Sequence, residues 1–319
     1  MNAKTPPCTG FIAELIGDGR PLIVLTALAL AASGGFALFL SASGAFLPHD
    51  LAFLGMAPEV LCGINECRIV HFMIHDRFSF GGVLISIGVL YTWLALFPLR
   101  RGEPWSWALL LVTGVVGFGS FLAYLGYGYL DTWHGWATLL LLPVFVWGMV
   151  LTKPGDRSIL ADLKDAGQAG QSTRFSRPWF GWCFLLATGF GMIAAGATIL
   201  GVGMTVVFVP EDVNFIGLTA SQLDAINPRL VPLIAHDRAG FGGGLLTTGL
   251  LVTGIVWKAV PSRHVWEALG LSGLCGFGCA IGVHYPIGYL DGFHLAPAWA
   301  GAVLFAAGMV LVRPVYAGR

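Results

Sequence analysis

The sequence predicts an all-α integral membrane protein, built as two tandem copies of a four-helix unit. Of its 319 residues, 56% are hydrophobic and only 11% are charged, whereas a soluble domain is about one quarter charged. Eight apolar stretches are long enough to cross a bilayer, which takes about 20 residues of helix. Polar motifs between these stretches recur at a nearly constant offset. Together these observations predict eight transmembrane helices in two units of four.

The predicted spans cover, in chain order, about residues 21–45, 78–98, 104–127, 134–152, 180–207, 239–258, 264–286 and 294–313. This divides the chain into a first repeat at 1–152, a cytoplasmic linker at 153–178 and a second repeat at 179–319. A unit with an even number of spans returns the chain to its starting side, so both halves insert the same way up. The sequence therefore predicts a pseudo-two-fold axis along the membrane normal, as in parallel internal repeats.

Three polar motifs support the duplication, because they recur in the same order. The pairs are DLAFLG (50–55) with DVNFIG (212–217), HDRFSFGG (75–82) with HDRAGFGG (236–243), and GYLDTWH (128–134) with GYLDGFH (288–294). The offsets between these pairs are 162, 161 and 160 positions. The function is therefore expected where the two halves meet.

The distribution of Lys and Arg predicts the orientation in the membrane. On the predicted side of the termini lie 13 of the 17 Lys and Arg residues, and the other side has four. Positive residues are retained on the cytoplasmic side, so both termini are predicted to be cytoplasmic in a plasma (inner) membrane and the motifs to lie near the outer face. The net charge is zero and there is no basic run, which argues against a nucleic-acid partner.

The motifs bring ionisable side chains to one depth near the outer interface, where such residues usually mark a functional site. Four histidines could act as axial ligands of haem, which is commonly held by imidazoles in helical bundles. The expected ligands are His75 with His134 in the first half, and His236 with His294 in the second.

Other residues of the motifs would support this haem site. Carboxylates can orient a ligand imidazole by accepting its second N–H, and an arginine can offset propionate charge. The expected contributors are Asp131 and Asp291, Arg77 and Arg238, and Tyr129 and Tyr289.

A discrete transition-metal site is an alternative, since imidazole suits zinc, copper and iron. His71 and His75 are four residues apart, on one face of a helix, and Asp76 and His134 would complete the site. Pro232 stands at the position of His71 in the second half, so this site would exist only in the first half.

A purely structural interpretation is also open. Asp131 would then pair with Arg77 and Asp291 with Arg238, and each histidine would bond to its neighbouring aspartate. No cofactor would be needed in that case.

Two cysteines, Cys62 and Cys67, lie close together in the predicted outer loop of the first half. The outside is oxidising, and a disulfide between them is chemically permitted there. It would either staple the loop or act as a redox pair.

In this plan the chain resembles the heme A synthases. That family has a similar length, eight spans in two units, histidines at the outer ends of helices 2, 4, 6 and 8, and a cysteine pair in the first outer loop. The resemblance implies that His75 and His134 surround a substrate haem and that His236 and His294 ligate haem b. The local motifs differ: Asp76 follows the helix-2 histidine where the family has an arginine.

The leading functional hypothesis is thus a haem- or metal-binding membrane oxidoreductase or cofactor-handling enzyme, with no catalytic residue assigned. Its expected partners are the bilayer, haem or a lipophilic substrate, and other membrane subunits. Two alternatives remain: a transporter of a small solute or ion, and a non-enzymatic accessory subunit in which the motifs are structural.

Overall fold

The computed structural model describes residues 10, 16–122, 129, 132–155 and 173–316, with the backbone alone at 133 and 134. Every regular element within these ranges is a helix. In chain order these are α1 (Arg20–Ser43), α2 (Pro48–Leu54), α3 (Pro58–Cys62), α4 (Arg68–Leu96), α5 (Pro104–Leu122), α6 (Thr132–Leu151), α7 (Arg177–Gly203), α8 (Pro210–Ile216), α9 (Ala220–Ile226), α10 (Leu230–Lys258), α11 (Arg263–Gly282), α12 (His284–Ile287) and α13 (Gly292–Tyr316).

Within the described part of the chain, seven helices are long and apolar enough to cross a membrane. These are α1, α4, α5, α7, α10, α11 together with α12, and α13. In α6, the apolar part among the residues described with side chains is Gly135–Leu151. The structure is thus all-helical and has the helices of a membrane protein, as the sequence predicts.

The helices α4 and α10 form the buried centre of the fold. Helix α4 packs against α1, α11 and α10, and α10 packs against α7, α5 and α4. In the most apolar stretch of each helix, 78% of the residues of α4 and 67% of those of α10 are buried, compared with 22% in α1. Residues on these two helices therefore contact both halves of the chain.

Glycines allow the closest helix contacts. A Cβ on Gly34 of α1 would lie 2.5 Å from the carbonyl oxygen of Gly81 on α4, and a Cβ on Gly196 of α7 would lie 2.8 Å from that of Gly242 on α10. Small residues at such crossings let membrane helices approach closely. The Gly-Gly of each His-Asp-Arg motif is therefore required by packing.

The stretches between the first and second predicted spans and between the fifth and sixth predicted spans are largely helical. They contain α2, α3, α8 and α9, and α4 begins at Arg68 and α10 at Leu230, before the apolar spans start. The polar motifs thus lie within long helices, because a helix can continue past its apolar part where neighbouring helices cover its polar side chains.

These short helices hold the two halves together at one end. Asn65 donates a hydrogen bond from Nδ2 to the carbonyl oxygen of Ile216 at the end of α8, 2.8 Å away. Asn227 donates in the same way to Leu54 at the end of α2, also at 2.8 Å. Asn65 and Asn227 are 162 positions apart in the sequence, like the first motif pair, and each binds the other half of the chain.

Candidate functional site

The repeated His-Asp-Arg motif occupies buried positions of α4 and α10. His75 and Arg238 are each 4% exposed and Asp76 is 1% exposed. Charged groups buried to this degree need hydrogen bonds or a partner of opposite charge. Those partners come from the other half of the chain and from α8, α12 and α13.

Three histidines from three helices converge beside this motif. Nε2 of His75 lies 3.1 Å from Nε2 of His284, and one ring nitrogen from each of these two residues and from His294 lies within 4.8 Å of the others. We call His75, His284 and His294 the three-histidine group. No other set of three His, Cys, Asp or Glu side chains in the described ranges comes this close together.

The neighbours of two of these rings decide which nitrogen carries a proton. Nδ1 of His75 lies 2.9 Å from Oδ1 of Asp76, and a carboxylate only accepts hydrogen bonds, so Nδ1 of His75 carries the hydrogen. Its Nε2 lone pair then points at His284. The arrangement is that of a metal-ligating histidine oriented by a carboxylate.

Tyr289 orients the ring of His294 in a similar way. The phenol donates its hydrogen to Oδ1 of Asp212 over 2.9 Å, and its oxygen lies 3.2 Å from Nδ1 of His294. Because the phenol has one hydrogen, its oxygen accepts from Nδ1–H of His294, and Nε2 of that ring is left with its lone pair. Burial, together with the negative charge of Asp212, raises the pKa of Tyr289 well above its usual range.

Arg238 lies next to the carboxylates of Asp76 and Asp212. It is paired with Oδ2 of Asp212 and donates from Nη1 to the carbonyl oxygen of Val207 at 2.8 Å. Its Nε lies 3.9 Å from Oδ2 of Asp76. The two carboxylates beside the histidines, Asp76 and Asp212, thus share one guanidinium.

A second cluster has the corresponding residues with the halves exchanged. Arg77 pairs with Oδ2 of Asp50 at 2.8 Å and with Oδ2 of Asp237 at 2.7 Å. Tyr129 donates to Oδ1 of Asp50 at 2.5 Å, and Nδ1 of His236 lies 3.3 Å from Oδ1 of Asp237. We call these five residues the arginine cluster.

Four residues of the arginine cluster form the polar end of a cavity of about 340 Å³: Asp50, Arg77, His236 and Asp237. The rest of the cavity is lined mainly by apolar side chains of α1, α4, α5 and α6. The two clusters consist of corresponding residues, but they differ in what they could bind. One lies beside the three-histidine group, and the other lies at the end of the cavity.

The structure places the predicted residues in a different grouping. His75 lies with His284 and His294 of the second half. His236 contacts Tyr129, with ring centroids 5.1 Å apart, and is in the other cluster from His294. The predicted pairing of His75 with His134 cannot be followed further, because the side chain of His134 and all of Asp131 lie outside the described residues.

Three further predictions concern neighbouring residues. Arg238 pairs with Asp212 rather than Asp291, and Asp291 accepts a hydrogen bond from the backbone N–H of His294 at 2.7 Å. His71 is not in the three-histidine group, and Asp76 orients His75 rather than joining the group. Cys62 and Cys67 form a disulfide.

The sequence interpretation missed the roles of His284 and of the aspartates Asp50 and Asp212. His284 has no histidine counterpart in the first half, so a search for repeated residues passes over it. The two aspartates begin a repeated motif, and their recurrence as acids was the available signal.

Comparison with known proteins adds no relative: no protein-family model, no curated protein and no solved structure matches this chain. The geometry of the two clusters is therefore the basis for a function of this protein.

Proposed function

We propose that this protein is an integral membrane oxidoreductase that holds one redox-active transition-metal ion, copper or iron, at His75, His284 and His294. The observation that carries the proposal is the convergence of three imidazoles, of which two have their Nδ1 atoms bound to a carboxylate or a phenol. Imidazole is a preferred ligand of copper and iron. Three protein ligands also leave a coordination position open, as in catalytic metal sites.

The spacing between His75 and His284 supports a single ion, and a ring nitrogen of His294 lies within 4.8 Å of both. Metal–imidazole bonds are about 2.0–2.1 Å long, so neighbouring ligand nitrogens around one ion are about 2.9–3.4 Å apart. The two Nε2 atoms of His75 and His284 are 3.1 Å apart. Without an ion, one of these nitrogens must donate its proton to the other.

Haem ligation by this pair of histidines has less support. Axial nitrogens on opposite faces of a haem iron are about 4 Å apart, twice a bond of about 2.0 Å, with the porphyrin between them. A separation of 3.1 Å between His75 and His284 leaves no such space. Haem held with His134 stays a prediction.

We also propose the membrane arrangement that the sequence predicts. In it α6 is the fourth of eight spans, the two halves are related by a two-fold axis along the membrane normal, and both termini are cytoplasmic. The reciprocal bonds of Asn65 and Asn227 support the two-fold relation. Both clusters would then lie near the extracytoplasmic face.

The test is metal analysis of the purified protein with matched histidine variants. We expect about one copper or iron ion per chain, and loss of that ion in His75→Ala and His284→Ala. The control is His236→Ala, which changes the corresponding α10 histidine and should retain the ion.

Visible and paramagnetic resonance spectra of the same samples complete the test. A signal of copper or iron that changes on reduction supports the proposal. Zinc alone, or no metal after reconstitution with copper and iron, overturns it, and the transporter and accessory alternatives would then be tested by uptake into vesicles. A Soret band would show haem instead.

A further inference from the structure

The cavity at the arginine cluster carries a second inference. Its polar end is formed by Asp50, Arg77, His236 and Asp237, and its apolar walls include Phe80 and Phe118. Its volume of about 340 Å³ is at the lower end of the range for small-molecule pockets. It therefore has room for a ring-sized head and the beginning of a tail.

The packing of α1 against α6 leaves one side of this cavity facing the lipid. Helices α1 and α6 meet tightly at Gly148, where an added Cβ would lie 2.7 Å from Cδ1 of Ile23. The cavity lies beyond this contact, towards the later residues of α1, where Ala32, Phe36 and Ala137 line it and are exposed. Because α1 is a candidate membrane span, this opening faces acyl chains, and a ligand would enter from the bilayer.

The charges at the polar end restrict the head of such a ligand. Two carboxylates and one guanidinium are present, so a fatty acid or an anionic phospholipid would add a further negative charge next to Asp50 and Asp237. Both carboxylates already accept from Arg77, and Tyr129 also donates to Asp50. A guanidinium has five N–H donors, and these ion pairs engage Nε and Nη1 of Arg77. The remaining N–H groups of Arg77 can therefore donate to a neutral head that accepts hydrogen bonds.

We propose that this cavity binds a membrane quinone, with a ring carbonyl accepting a hydrogen bond from Arg77 and the isoprenoid tail leaving between α1 and α6. A quinone has a flat, uncharged ring with two carbonyl acceptors and an apolar tail, which matches the head and walls of the cavity. The choice of a quinone over other neutral carbonyl lipids rests on the proposed oxidoreductase function.

The experiment measures binding of ubiquinone-2 to the purified full-length protein in detergent, by equilibrium dialysis, with metal content determined on the same samples. Two variants narrow the cavity: Ala32→Phe at its rim and Gly240→Leu in its wall. A Cβ at Gly240 would meet only the ring of Phe80, at 3.9 Å, so the backbone there tolerates a side chain. The control is Ala194→Phe, at the corresponding exposed position of α7, which does not line the cavity.

We expect one ubiquinone-2 per chain, at least tenfold weaker binding in the two cavity variants, and unchanged binding in Ala194→Phe. No binding by a metal-loaded protein, or equal binding by all four proteins, overturns the quinone site while leaving the metal proposal standing. Displacement of ubiquinone-2 by equimolar oleate would also overturn it, since an anionic head should be excluded. Cavity-dependent binding by a protein that takes up neither copper nor iron on reconstitution would support the site and overturn the metal proposal instead.

Discussion

The orientation of the histidine rings is set by single neighbouring side chains. Asp76 accepts a hydrogen bond from Nδ1 of His75 at 2.9 Å, and both residues are buried. A carboxylate in this position fixes the ring and makes its other nitrogen a better ligand. The corresponding Asp237 bonds to Arg77 and His236 in the arginine cluster, away from the three-histidine group.

The change Asp76→Asn is therefore expected to weaken metal binding by about 10- to 100-fold, the usual effect of losing such a partner. Asparagine has the same shape but removes the charge that makes the imidazole basic. Competition with a chelator of known affinity measures the effect. The matched variant Asp237→Asn should leave the affinity unchanged, and equal losses in both variants would contradict the role assigned to Asp76.

Tyr289 lies outside the candidate membrane spans and makes the stability of the protein depend on pH. Its phenol is buried beside the carboxylate of Asp212, and both burial and that charge raise its pKa. In the unfolded chain a tyrosine has a pKa of about 10. Because the folded pKa is higher than the unfolded pKa, the phenol stabilises the fold fully below about pH 10, and this contribution decreases as the pH rises above 10.

The wild-type protein should accordingly lose stability relative to Tyr289→Phe above about pH 10, by up to about 1.4 kcal/mol per pH unit. Thermal unfolding in detergent between pH 8 and 11 measures this difference. Tyr289→Phe should be the less stable protein at pH 8, since it lacks the hydrogen bond to Asp212. Parallel pH profiles for the two proteins would show that Tyr289 has an ordinary pKa.

At the scale of the helices, the apolar runs predict where the long apolar helices lie but not how far these helices extend. The second span was predicted to begin at about 78, whereas α4 begins at Arg68. Hydropathy marks only the apolar part of a helix, and the polar turn around His75 is covered by α8, α12 and α13, which lie far away in the sequence. The depth of the site could therefore be only approximately predicted.

Close packing of α1 on α4 provides a test of the helix arrangement. A Cβ on Gly34 would lie 2.5 Å from the backbone oxygen of Gly81, whereas a Cβ on the adjacent Gly35 would have no neighbour within 4 Å. Gly34→Ala should destabilise the protein by about 1–3 kcal/mol, the usual cost of overpacking.

Gly35→Ala is the control for this prediction, because it makes the same chemical change one position further along α1. It should be neutral or stabilise the protein by up to about 1 kcal/mol, since alanine favours a helix more than glycine does. Thermal unfolding of the two variants in detergent gives the comparison. Similar unfolding temperatures would mean that α1 does not approach α4 as closely as described.

At the scale of the whole molecule, the sequence contains the repeated motifs, but it does not reveal the partners within each cluster. The repeated motifs identify Arg77 with Arg238 and Asp50 with Asp212. They do not show whether a residue binds to its own half or to the other, because both arrangements give the same repeat. His75 belongs to a group completed by the second half, and this followed only from the packing of α4 against α11 and α10.

This exchange between halves predicts the behaviour of a divided chain. If the chain is broken between Gly155 and Thr173, the first piece contains His75 and the second contains His284 and His294. The two pieces should copurify when they are coexpressed, because α4 and α10 pack together and Asn65 and Asn227 each bind the opposite half. The copurified pair should bind the metal, whereas the second piece alone should bind it much more weakly, since two imidazoles remain of three.

Coexpression with a first piece carrying His75→Ala is the control, and it should restore assembly without restoring metal binding. Full metal affinity in the second piece alone would show that the site is contained within one half.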